Sequence, residues 1–150
     1  MACTVTLDTD GETQLSQSRQ HVFSGSVYEE MAGYSRACIV GDHIFVSGTV
    51  GVDFVSGEMA VGPEAQTNTA LDTIEKALIE ANSLLTDIVR VRVYVPDADH
   101  VMAVSTVLKT RLGDTRPANT TICSPLAVPG AHVEIEVEAM RGSAAVNGSA

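Results

Sequence analysis

Two segments of this chain alternate strictly between apolar and polar residues, and that pattern constrains the fold more than any other feature of the sequence. Asp87–Val95 sets Val89, Val91, Val93 and Val95 against Arg90, Arg92 and Tyr94, and His132–Ala139 sets Val133, Ile135 and Val137 against Glu134, Glu136 and Glu138. A period of two belongs to an extended strand, whose successive side chains point to opposite faces. If both apolar rows face one core, Arg90, Arg92, Glu134, Glu136 and Glu138 share the other side of the sheet. Such a face needs water, ion partners or a neighbouring subunit over it. It is either a solvated outer face, as antiparallel sheets commonly have, or an oligomer interface with polar pockets.

Shorter signals place the remaining elements. Ser35–Val40 and His43–Ser47 are apolar-rich runs separated by Gly41-Asp42, a pair suited to a tight hairpin turn, and Gly51–Gly57 reads as a loop. Pro63-Glu64 opens a helix in which Leu71, Ile74, Leu78 and Ala81 recur at three and four residues, with Asp72, Glu75 and Glu80 on its other side. Pro96 ends the first alternating strand, and Val101, Val104, Leu108 and Leu112 mark a second amphipathic helix capped by Asp97 or Asp99. Asn119–Ser124 is a further strand and Pro125–Gly130 a turn. This order predicts an α+β domain with two helices on one face of a single sheet, spanning residues 21–141 between flexible ends at 1–20 and 142–150.

With 150 residues, 45% hydrophobic and 19% charged, the chain has the composition of one compact domain, which buries roughly 70% of its unfolded surface and needs no staple to fold. A net charge of -10 opposes association with any polyanion, so nucleic acid and anionic membranes are not expected partners. The absence of a long apolar run and of a basic-then-apolar leader leads to the expectation of a cytoplasmic protein. Cys3, Cys38 and Cys123 lack CxxC or His/Cys ligand spacing, so neither disulfides nor a metal site is expected. The glycines between 48 and 57 do not form a strand-to-helix phosphate loop, and no cofactor is implied.

Three stretches, taken together, resemble the YjgF/RidA (Rid) superfamily. They are Gly33-Tyr-Ser-Arg-Ala37 leading to Gly41-Asp-His-Ile-Phe-Val-Ser-Gly48, then Gln66–Ala81 with its following strand, and Arg116-Pro-Ala-Asn-Thr-Thr-Ile122 with Val133-Glu-Ile-Glu136. The resemblance implies a chorismate-mutase-like fold with a single mixed sheet, assembled as a homotrimer around a central barrel with ligand sites in the clefts between subunits. In members that deaminate enamines and imines, an arginine clamps the substrate carboxylate and a glutamate positions the hydrolytic water. The matching positions here hold Asn119 and Glu134. Tyr34 matches a tyrosine reaching the same cleft, Ser47 and Gly48 the backbone lining it, and Thr121 a small polar position beside it.

The departure at Asn119 has an energetic consequence. A buried bidentate arginine–carboxylate contact is worth on the order of 1.5–3 kcal/mol, which an uncharged amide does not supply. Arg116, three residues away on the opposite side of an extended chain, is not expected to stand in, and Arg92 is a candidate only if its strand borders the cleft. Glu134 reads either as a general acid/base desolvated in a cleft or as a strand glutamate paired with an arginine. Tyr34 reads as a hydrogen-bond donor to a carbonyl or developing oxyanion, or as a packing aromatic. Cys123 shares a strand face with Asn119; it is a nucleophile only if a base such as His132 approaches it, and otherwise a buried inert thiol. His21, His43 and His100 read as surface or hairpin residues. The chain is therefore expected to be a cofactor-free enzyme that hydrolyses, dehydrates or tautomerises an imine, enamine or enol-like metabolite, with a non-catalytic metabolite- or partner-binding trimer as the rival reading.

Overall fold

The computed structural model describes residues 4–7, 13–16 and 18–144. In chain order the elements are β1 (Thr4–Leu7), β2 (Thr13–Ser16), β3 (Arg19–Val22), α1 (Val27–Ala32), β4 (Ala37–Val40), β5 (His43–Val50), α2 (Pro63–Glu80), β6 (Ile88–Val95), α3 (Val101–Leu112), β7 (Ala118–Cys123) and β8 (Glu134–Met140). The two alternating segments, β6 and β8, pair antiparallel inside a six-stranded sheet ordered β3-β4-β5-β8-β6-β7. β7 joins β6 in parallel and the other neighbours are antiparallel, so the sheet is mixed.

The pairing puts Arg92 opposite Glu136 and Tyr94 opposite Glu134, which brings the apolar rows of both strands onto one face. Val91, Val93, Val95, Ile135 and Val137 there form one core with Leu71, Ile74 and Leu78 of α2 and Val104, Val107 and Leu108 of α3. Burying each leucine or isoleucine contributes about 1.5–3 kcal/mol. On the opposite face, Arg92 bridges Glu136 at 2.7 Å and Glu138 at 3.3 Å, and Arg90 lies 3.7 Å from Glu138.

Val89 does not join the apolar row as its spacing predicts. It is 44% exposed, and Ile88, 1% exposed, takes the inner place. The register between β6 and β8 slips between Ile88 and Arg90, and such a bulge reverses the facing of the residues before it. The helix α1 and the strand β3 are also absent from the sequence reading. Six residues capped by the Ser26 hydroxyl and ended by left-handed Gly33 are too short for a helical period, and β3, Arg-Gln-His-Val at the sheet edge, exposes three of its four residues.

At the ends, β1 and β2 pair with each other, and β3 begins at Arg19, within the segment expected to be flexible; residues 1–3, 8–12, 17 and 145–150 lie outside the described residues. Residues 142–144 are held by Asp87, whose carboxylate accepts from the Ala144 amide at 3.0 Å and from the Ser83 hydroxyl at 2.7 Å. Burial pushes the Asp87 pKa up, but bonds from Ser83, Ala144, Leu84 and Gly142 outweigh it and hold the carboxyl below the ordinary range. This stability is present above the unfolded pKa and is lost as pH falls through the folded one. Asp87→Asn is expected to cost about 1–3 kcal/mol by denaturant titration at pH 7, with the deficit shrinking in acid.

Candidate active site

The hairpin β4–β5 closes with Val40 opposite His43 across Gly41-Asp42, and β5 then runs into a second irregularity. Its pairing with β8 shifts between Val46 and Thr49, so Ser47 and Gly48 stand outside the ladder. Ser47 is tied back to the chain before β4: its amide donates to the Arg36 carbonyl at 2.9 Å and its hydroxyl to the Ser35 carbonyl at 2.7 Å. A Cβ at Gly48 would collide with Oε1 of Glu134, so a larger residue there requires the Glu134 side chain to move. The Glu134 carboxyl thus lies directly on the Gly48 backbone. Glu134 begins β8 between Val50 of β5 and Tyr94 of β6, on the charged face. Burial and then the neighbouring Glu136 push its pKa above the ordinary 4.5, while the Arg36 charge opposes them.

Arg36 and Glu29 form a buried ion pair beneath this point, with side chains only 2% and 3% exposed and Nε 3.1 Å from Oε1. The Arg36 Nη1 donates to the Gly48 carbonyl at 3.0 Å and to the Thr49 hydroxyl at 2.9 Å. Glu29 also accepts from the Ser24 amide and hydroxyl. The guanidinium lies 5.7 Å from the Tyr34 ring centroid and 5.0 Å from that of Phe54, within cation–π range. The short helix α1 makes this possible. It presents Glu29, and left-handed Gly33 then turns the chain so that the Tyr34 amide donates to the Glu29 carbonyl at 3.0 Å. Tyr34, Arg36, Ser47, Gly48 and Glu134 therefore meet at one end of the sheet. Arg36 lies inside the Gly33–Ala37 motif without a role assigned from sequence; an arginine at the start of a small apolar strand, with a glutamate seven residues before it, is the available signal.

Gln66 fixes the approach to Glu134. Its buried amide donates to the carbonyls of Ala60 and Gly130, and its Oε1 accepts from the His132 amide at 2.7 Å. The backbone of Gly51 passes so close to Gln66 that a Cβ there would strike its Cα.

The other expected site residues lie elsewhere in the chain. Asn119, Thr121 and Cys123 pair with Val91, Val93 and Val95 in the parallel ladder, which places them on the helix-side face of the edge strand β7, whereas Glu134 opens on the other face with β6 between. The Thr121 hydroxyl donates to Asn119 Oδ1 at 3.1 Å. One chain does not bring Asn119 and Glu134 together. Cys123 is exposed rather than buried, because nothing among the described residues covers the outer side of β7, and His132 packs edge-on against His100 with ring centroids 4.6 Å apart. Arg116, expected across the chain from Asn119, lines the same cavity of about 490 Å³ together with Lys109, Val91 and Leu108. Its φ of 48° breaks the extended alternation on which the expectation relied. Arg92 is engaged by Glu136 and Glu138, and the Glu136 hydrogen bond raises its pKa further.

A model of the family described as Endoribonuclease L-PSP matches residues 26–141, the whole span from α1 to the end of β8. The chain belongs to the YjgF/RidA family. A solved YjgF/YER057c/UK114-family structure from Mycobacterium tuberculosis is 39% identical to this Rid protein with a TM-score of 0.75, covering 82% of this chain and 99% of that one. An uncharacterized Streptomyces coelicolor protein is 32% identical over 132 residues, 85% of this chain and 96% of that one. A 2-iminobutanoate/2-iminopropanoate deaminase from Dermatophagoides farinae is 30% identical over 104 residues, 69% of this Rid chain and 81% of the mite protein. Among the described residues no helix is long and apolar enough to cross a membrane.

Proposed function

We propose that this Rid protein is a cofactor-free small-molecule enzyme working as a homotrimer, in which Asn119, Thr121 and Cys123 on the edge strand of one subunit face Tyr34, Ser47, Gly48 and Glu134 of the next. The observation that carries this reading is the Glu134 carboxyl lying on the Gly48 backbone with a raised pKa, while Arg36, hydrogen-bonded to the Gly48 carbonyl, carries the Tyr34 ring over its guanidinium. A carboxylate whose affinity for a proton is raised toward the working pH is a better base toward water. Glu134 takes a proton from water as the oxygen attacks an imine carbon. In the carbinolamine that forms from the protonated imine, Glu134 returns this proton to the nitrogen. The C–N bond breaks, ammonia leaves, and the hydroxyl proton passes to the Glu134 carboxylate as the carbonyl forms. Tyr34 serves as a hydrogen-bond donor to the reacting group.

The exposed edge of β7 and the charged sheet face both support assembly, since an unpaired edge strand and five charges are surfaces that a partner subunit covers. Light scattering at micromolar concentration is expected to report about three times 15.7 kDa; a monomer overturns the interfacial site. The family description names a ribonuclease, but a net charge of -10 disfavours an RNA substrate.

Asn119 sets the substrate class in this reading. It recognises a neutral carbonyl or hydroxyl, so wild type hydrolyses carboxylate-bearing imines poorly. Asn119→Arg is expected to raise kcat/KM for 2-aminoacrylate-type imines about thirty-fold, the equivalent of roughly 2 kcal/mol, in a coupled assay at equal trimer concentration. If wild type already deaminates these imines at enzyme-like rates, another cation binds the carboxylate. Arg116, in the same cavity as Asn119, is then the first to replace, ahead of Arg92 with its two carboxylate partners.

A further inference from the structure

The ion pair under the site is placed to do more than hold the fold. Arg36 donates from its Nη1 to the Gly48 carbonyl, and the Glu134 carboxyl lies against that same residue where a Cβ would stand. Its partner Glu29 holds Nε from behind and is itself held by Ser24. We infer that the Glu29–Arg36 pair is a positioning and charge-setting device for Glu134, in which Glu29 limits how much of the Arg36 charge reaches the Glu134 carboxyl across Gly48. The inference rests on the reading of Glu134 as the base.

The groups facing Glu134 leave Arg36 as the cation that acts on it. From its own strand comes Glu136, which repels a second negative charge. From β6 come Tyr94, directly opposite, and Arg92, which is engaged by Glu136 and Glu138. From β5 come Gly48 and Val50, which carry no charge. From the turn before β4 comes Arg36, whose guanidinium lies 5.7 Å from the Tyr34 ring centroid. The opposing influence of Arg36 on the Glu134 pKa agrees with this geometry. An isolated guanidinium at this position would hold Glu134 ionised and a weak base, whereas one shared with a buried carboxylate acts with less force.

The two members of the pair therefore act on Glu134 with opposite sign, a result that a scaffold role does not produce. The test is the titration of Glu134 by carbon-detected NMR on protein labelled at the glutamate carboxyls, assigned by comparison with Glu134→Gln, alongside the pH profile of kcat/KM for whichever imine is turned over. Arg36→Gln is expected to move the Glu134 midpoint up, Glu29→Gln to move it down, and Arg36→Lys, which keeps the charge, to leave it nearer wild type than Arg36→Gln does. The acidic limb of the rate profile is expected to shift in the same directions. If Arg36→Gln does not fold, Glu29→Gln decides alone, since the amide keeps the shape of the carboxylate: a downward shift supports the device and an unmoved midpoint overturns it. The NMR midpoint does not depend on turnover. A protein that shows the opposed shifts and no catalysis overturns the function proposed above and leaves this inference standing; unmoved midpoints in an active protein do the reverse.

Discussion

Glu134→Gln is expected to lower turnover by about 10²–10⁴-fold, the usual contribution of a positioned general base, while leaving the fold and the assembly state unchanged. The amide fills the same space over Gly48 but cannot accept the proton from water. The stability effect has a definite sign. The folded-state pKa of Glu134 is raised, so ionising this carboxyl costs stability as pH climbs through and beyond the ordinary value of 4.5. The variant is therefore expected to melt at the same temperature as wild type or slightly higher at pH 7.5, with the difference vanishing near pH 4. A steady-state assay and a melting curve on the same sample check both halves. Full turnover in the variant returns Glu134 to the role of an ordinary strand glutamate.

Arg36→Met is expected to be the most damaging single change near the site. It strips the partner from Glu29, whose side chain is 3% exposed, and leaves a buried carboxylate with only Ser24 to satisfy it. Removing one member of a buried pair typically costs about 3–5 kcal/mol, because the remaining charge is left without compensation. In a chain of this size that corresponds to a drop in Tm on the order of 10 °C. The double variant Arg36→Met with Glu29→Leu is expected to recover a large part of the loss, since exchanging both ions for apolar groups is often nearly neutral. Calorimetry on the two single variants and the double variant gives the coupling energy. Additive losses would show that the two residues do not act as a pair.

The strands β6 and β8, both long helices and the β4–β5 hairpin were legible because each is written as a regular period of apolar residues or a turn signature in consecutive positions. The pairing of β6 with β8 was not legible. Val89 was misplaced because a bulge changes the facing of residues without changing the alternation that precedes it. The Arg116 position failed similarly: alternation along an extended chain assumes negative φ, and one left-handed residue before Pro117 brings Arg116 to the cavity of Asn119. Gly48 and Glu134 came from family resemblance rather than from pattern, and the structure adds the reason the two positions go together, since one carboxyl occupies the space the other residue's Cβ would need. Arg36 went unassigned because its meaning lies in contacts to Glu29, Gly48 and Thr49 that no local spacing encodes.

In the proposed function, Glu134 works on a substrate recognised without a carboxylate clamp, because the position that matches the family's arginine holds Asn119. The direct measurement is kcat/KM of the wild-type protein for two matched imines, one bearing the carboxylate of a 2-keto acid and the other its neutral amide, each repeated with Glu134→Gln. The amide is expected to be the better substrate by ten-fold or more, and its turnover to collapse in the variant. Preference for the carboxylate, or turnover of the amide that survives the loss of Glu134, would contradict the proposed function.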